Sequence, residues 1–136
     1  MERCPCCNAR LRERTVCSRC KSDLSVLISS EKAAQHWLGK SIHTYESNDI
    51  TSSIAAIKIS LSLKNTRLAL AWRGFLIQHQ CTKNMQLLAE QQLIFAKQTL
   101  YATRMLFSHS KQLQRLNSFT DYLLAQSAEH SQQASS

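Results

Sequence analysis

Glycine and proline are almost missing from this 136-residue chain, which has two of the first and one of the second. Sandwiches and barrels need turns rich in Gly, Pro and Asn at regular spacing, so an all-β fold is excluded, and so is a glycine-rich phosphate loop. No apolar run approaches the ~18 residues a membrane-spanning helix requires. The opening stretch Met1-Glu2-Arg3-Cys4-Pro5 has no apolar core of a secretory signal. A cytoplasmic location is the expectation, and there cysteines serve as metal ligands or reduced thiols rather than in disulfides. Catalytic constellations are lacking as well. His36, His43, His79, His109 and His130 are scattered, and no Ser-His-Asp set, HExxH motif or carboxylate pair can be assembled around them, so the chain is not expected to be an enzyme. What remains, at 43% hydrophobic, is a mainly α protein with a modest core.

The charge is positive but diffuse. Seventeen Lys and Arg face nine Asp and Glu, giving a formal +8. Residues 1–24 hold six basic and three acidic groups, residues 25–82 the same, and residues 83–136 five and three. A divalent ion on four thiolates would lower the total to about +6. An evenly basic surface of this kind points to protein partners before nucleic acid.

Five of the six cysteines crowd into residues 1–24. Cys4-Pro5-Cys6-Cys7 and Cys17-Ser18-Arg19-Cys20 form two CxxC pairs with nine residues between them. CxxC puts two sulfurs on one side of a tight turn, and two such turns face to face supply the four sulfurs of a structural zinc. Each pair is followed by a turn residue, Asn8 or Lys21, and then by a leucine at the same offset, Leu11 or Leu24. The spacer is long enough for a short two-stranded hairpin between the knuckles. Cys4, Cys7, Cys17 and Cys20 are therefore the candidate ligands of one structural Zn²⁺, with iron as the other metal that accepts four sulfurs. Cys6 is surplus: a free thiol beside the site, or a redox-active one. This segment resembles the short bacterial zinc ribbons, patterned CPxCG twice around a spacer of similar length. Asn8 and Lys21 stand where those ribbons have glycine, and the second knuckle lacks their proline.

From Glu31 the apolar period becomes helical. Ala34, Trp37, Leu38, Ser41, Ile42 and Tyr45 predict a helix over 32–45, capped by Ser29 or Ser30. After Asn48-Asp49, a second stripe of Ile50, Ile54, Ile57, Leu61 and Leu63, with small Ser53, Ala56 and Ser60 interleaved, predicts an antiparallel partner. Trp37, Ser41, Tyr45, Ser53, Ile57, Ser60 and Leu61 resemble the signature of a tetratricopeptide repeat. A following unit would start at Arg67, with Leu68, Leu70, Ala71, Trp72, Phe75 and Leu76 on its first helix and a turn near Gln80-Cys81-Thr82. Trp37 and Trp72 read as core anchors, and Cys81 as a buried thiol. Residues 83–127 lack both Gly and Pro, and one unbroken helix there would reach ~67 Å. A break near Ser108-His109-Ser110 or at Asn117-Ser118 is expected.

The organisation is then a zinc ribbon over 1–24, a helical repeat-like domain over 25–128 and a disordered tail over 129–136. The resemblances imply an adaptor or assembly factor that binds another protein or a peptide along a helical groove. His36, Lys40, His43, Arg67 and Arg73 are the groove candidates from their first-helix placement. The alternatives are nucleic-acid binding through Arg3, Arg10, Arg12, Arg14, Arg19 and Lys21, or a thiol or metal accessory role for a redox enzyme through Cys6.

Overall fold

The computed structural model describes residues 1–135. Among them stand five α-helices: α1 (Ser25–Glu46), α2 (Ile50–Leu63), α3 (Arg67–Ala89), α4 (Leu93–Ala102) and α5 (Lys111–Ala134), with a 3₁₀ segment Arg104–His109 before α5. The fold is mainly α, as the shortage of turn formers implied.

Short polar side chains begin three of the helices. Asp49 Oδ1 accepts the Ser52 N–H at 3.1 Å, Thr66 Oγ1 the Ala69 N–H at 3.1 Å, and Ser110 Oγ the Leu113 N–H at 3.2 Å, each satisfying an amide that the helix leaves free. α1 begins at Ser25 rather than at the predicted Lys32. Its first amide is taken by Asp23 Oδ1 at 2.9 Å, so the helix grows directly out of the cysteine segment and Ser29 and Ser30 lie inside it.

Asn48 and Gln91, at φ of 61° and 59°, close α1 and α3 in the left-handed conformation. The paired bonds Asp49 N–H to Thr44 O and Asn48 N–H to Tyr45 O recur as Gln92 N–H to Leu87 O and Gln91 N–H to Leu88 O. This is the Schellman closure, which usually employs glycine. Both glycines lie elsewhere, inside α1 and α3, and neither has a positive φ.

α1 and α2 pack antiparallel through serines. Ser41 and Ser53 each donate a hydroxyl to the other's carbonyl at 2.7 Å, and Ser60 donates to Ala34 O at 2.7 Å. Small residues let the backbones approach, and the hydroxyls then bond across the seam. Trp72 Nε1 of α3 donates to Ser41 Oγ at 2.8 Å, tying the third helix to the same point.

The main core gathers Leu38, Ile54, Ile57, Leu76, Leu100 and Leu113 from all five helices, each under a tenth exposed. Trp72 packs against its edge, but Trp37 does not. Trp37 is half-buried, with the Lys40 ammonium 4.6 Å above its ring and His36 edge-on at 5.9 Å, so only one of the two tryptophans is a core anchor.

α3 runs unbroken through Gln80-Cys81-Thr82, where a turn was predicted. Gln80, Cys81 and Asn84 are buried, and Asn84 Nδ2 bonds Gln80 O at 2.9 Å, so the polar residues that resemble a turn signal lie on an inner face. The chain breaks at Ser110 as expected, while Asn117-Ser118 lies within α5. α4 and α5 are pinned by Lys97 Nζ, 2.8 Å from Asn117 Oδ1 and 2.7 Å from Asp121 Oδ1. Residues 129–134, expected as a disordered tail, form the last turns of α5 with every side chain exposed.

Candidate metal centre

Residues 3–11 and 16–24 repeat one another thirteen positions apart, in backbone as well as in sequence. Cys4 N–H bonds Ala9 O at 2.8 Å, and Cys17 N–H bonds Ser22 O at 3.0 Å. Asn8 N–H returns to Cys4 O and Lys21 N–H to Cys17 O, at 2.8 and 2.9 Å. Bridges between Arg3 and Arg10 and between Val16 and Asp23 close the two loops. The pairing thus lies around each knuckle. Between them stands a tight turn at Arg12 and Glu13, closed by Arg14 N–H to Leu11 O at 2.9 Å, in place of the predicted hairpin. Asn8 and Lys21 take φ of 60° and 61°, the conformation that glycine would adopt without steric cost.

The two knuckles bring Cys4, Cys7, Cys17 and Cys20 together, with all four Sγ atoms within 4.8 Å of one another. Cys4 to Cys20 is 3.6 Å and Cys7 to Cys17 is 3.5 Å. Sulfurs bound at ~2.3 Å to one tetrahedral ion lie ~3.8 Å apart. The four cysteines are therefore close enough to hold a metal ion, and the all-thiolate donor set suits a thiophilic one. Beneath them Leu11 and Leu24 join Cys4 and Cys17 in a small apolar cluster, against which Ile28 of α1 packs.

The backbone prepares these sulfurs for negative charge unevenly. Burial pushes Cys4 up to about 12, against the Cys6 and Cys7 amides that point at it. Cys7 is also raised: the Ala9 amide draws it down, but burial and the neighbouring Cys17 and Cys20 thiols outweigh that pull. The Cys20 and Arg19 amides lower Cys17 despite its burial. Cys20 falls to about 6, chiefly through the Ser22 hydroxyl 3.1 Å away and then the Ser22 amide. Ser22 is a contributor that the cysteine spacing did not reveal; its one signal in the sequence is a hydroxyl two residues beyond a CxxC. Cys6 is exposed and stands outside the four-sulfur group.

The other candidates do not assemble into one groove. His36, Lys40 and His43 are exposed along the outer stripe of α1, opposite buried Ala34, Leu38 and Ser41. Arg67 is exposed as the first residue of α3, and Arg73 lines a cavity between α2, α3 and the 3₁₀ segment. An aromatic cluster between α1 and α3 went unforeseen as a surface feature. Tyr45 meets Trp72, Phe75 and His79 edge-on at 5.4–5.5 Å, and Trp72 stacks on Phe75 at 5.1 Å. Phe75 is 46% exposed. No helix among the described residues is long and apolar enough to cross a membrane.

No family model, curated protein or solved structure matches this chain.

Proposed function

We propose that this protein is a non-enzymatic adaptor or assembly factor, in which the four cysteines hold one structural zinc and the helical stack receives another protein. The observation that carries the reading is the solvent-facing aromatic cluster of Tyr45, Trp72, Phe75 and His79. Aromatic side chains with an exposed edge over a firm core are the anchors that protein interfaces favour. The zinc assignment draws on the sulfur spacing and the all-cysteine donor set, which leaves no position open for a catalytic water. The metal then holds a segment too small to fold on its own apolar area. In a stoichiometric pull-down from native cells, Phe75→Ala with His79→Ala should lose a partner that the unmodified chain retains, with helicity and metal content unchanged. Identical retention by both proteins would refute the reading.

A second reading has its own support. Arg3, Arg10, Arg12, Arg14, Arg19 and Lys21 are all exposed, and none has a carboxylate within ion-pair distance among the described residues. Binding of DNA or RNA that weakens linearly with the logarithm of salt would support nucleic acid as the partner, and its absence would remove that option.

A further inference from the structure

Between α2, α3 and the 3₁₀ segment lies a cavity of about 290 Å³ that neither the metal centre nor the aromatic cluster uses. Its apolar lining is Ile54, Ile57, Leu61, Met105 and Leu106, of which Leu61 and Met105 present accessible surface while the other three are 1–2% exposed. Its polar wall carries Lys58, Arg73 and His109 and includes no Asp or Glu. None of these three makes an ion pair among the described residues, whose carboxylate partners are confined to Glu31 and Asp121. Arg73 is half-buried and lines this cavity beside apolar residues, with no ion-pair partner among the described residues. A cation in that setting favours an anion strongly, because nearby low-dielectric walls focus its field and a carboxylate accepts its N–H groups in pairs.

We propose that this cavity binds a small organic carboxylate with a branched aliphatic or aromatic body. The carboxylate meets Arg73 and Lys58, and the body lies on Leu61 and Met105, over the buried Ile54, Ile57 and Leu106. The volume is at the lower end for ligand sites, ~300–1,000 Å³, which favours a compact acid over a nucleotide or a lipid. Ser62 and Asn65 at the edge supply further hydrogen-bonding groups. The same chemistry is offered by a free acid and by the carboxyl terminus of a peptide ending in an apolar residue. The proposal stands apart from the adaptor reading, since a chain with no protein partner would still fill this cavity.

The test is titration of the full-length, metal-loaded protein with 4-methylpentanoate, phenylacetate and N-acetyl-leucine, followed by methyl and amide NMR. The expected result is saturable shifts at Ile54, Ile57, Met105 and Leu106. The corresponding neutral amides should bind at least about tenfold more weakly, as loss of a charge-assisted contact predicts. Arg73→Gln should weaken carboxylate binding by a similar factor and leave metal content and helicity intact, and Lys58→Gln, on a more exposed residue, by less. Tighter binding of N-acetyl-leucine than of the free acids would assign the site to a peptide terminus, and the reverse to a free acid. Equal binding of acids and amides, shifts that map elsewhere, or no shift at millimolar ligand would each overturn the proposal.

Discussion

The first 24 residues and the helices after them reach order by opposite means. The cysteine segment buries two leucines and two thiols as its entire apolar cluster, with Cys7, Ala9 and Ile28 at the margin. The helices bury a contiguous core contributed by every one of them. A segment with so little apolar area does not offset its chain entropy unaided, and the proposed metal would supply what burial does not. The helical part is held by area and shape, and its polar residues serve at seams and ends.

Removing the metal breaks the comparison most severely. Structural zinc in small sites contributes ~10–16 kcal/mol at neutral pH. Chelation, or Cys17→Ser, should therefore collapse the amide NMR dispersion of residues 1–24 while the helical signals persist. Simultaneous loss of both sets would show that the two regions fold as one unit. The reciprocal change is Leu76→Ala, at a side chain with no exposed surface. It should cost about 2–5 kcal/mol in helical melting, while metal stoichiometry stays unchanged.

Ser41→Ala tests the seam. It removes the acceptor of Trp72 Nε1 and the hydroxyl that donates to Ser53 O, while Ser53 Oγ keeps its bond to the carbonyl of residue 41, and an orphaned buried group costs about 1–3 kcal/mol. Fluorescence of Trp72 should shift along with the lower melting temperature.

A smaller effect concerns the contact that spans both regions. Glu31 of α1 sits 2.9 Å from the Met1 amino group and 2.8 Å from Lys64 Nζ. Lys64, ahead of the amino group, holds its carboxyl below the ordinary 4.5. A depressed carboxyl stabilises the fold above its ordinary value and loses that contribution as pH falls through the folded one. The melting difference between the unmodified chain and Glu31→Gln should therefore be full near neutrality and vanish in acid. A difference that grows in acid would contradict the assignment.

The smallest expected change is a gain. Lys21→Gly and Gln91→Gly relieve left-handed strain, one in each region, and should each stabilise by about 0.5–1 kcal/mol. Lys21→Gly should show it as slower metal loss to a chelator, Gln91→Gly as higher helical melting.

Much of this was legible in the sequence, and for local reasons. The knuckles were visible because a metal site of this kind is specified by spacing alone. The start of α3 at Arg67 and the break at Ser110 follow from Thr66 and Ser110, whose side chains cap whatever comes next. Long-range packing was not legible. Gln80 is polar yet buried beside Cys81, so the stretch Gln80-Cys81-Thr82 mimicked a turn. Trp37 has the period of a core residue but finds Lys40 and His36 instead. The anionic preference of the α2–α3 cavity required Lys58, Arg73 and His109, residues from three separate stretches, to converge.

The short link between Cys20 and α1 has a mechanical consequence. Four residues separate Cys20 from Ser25, the first residue of α1, with Leu24 and Ile28 clamped in the same cluster. The four-cysteine group and the helix are thus a base and a rod joined without a hinge. At 22 residues the rod is ~33 Å long. Any change of geometry at the four sulfurs would therefore strain the base of α1 against the fixed seam at Ser41 and Ser53.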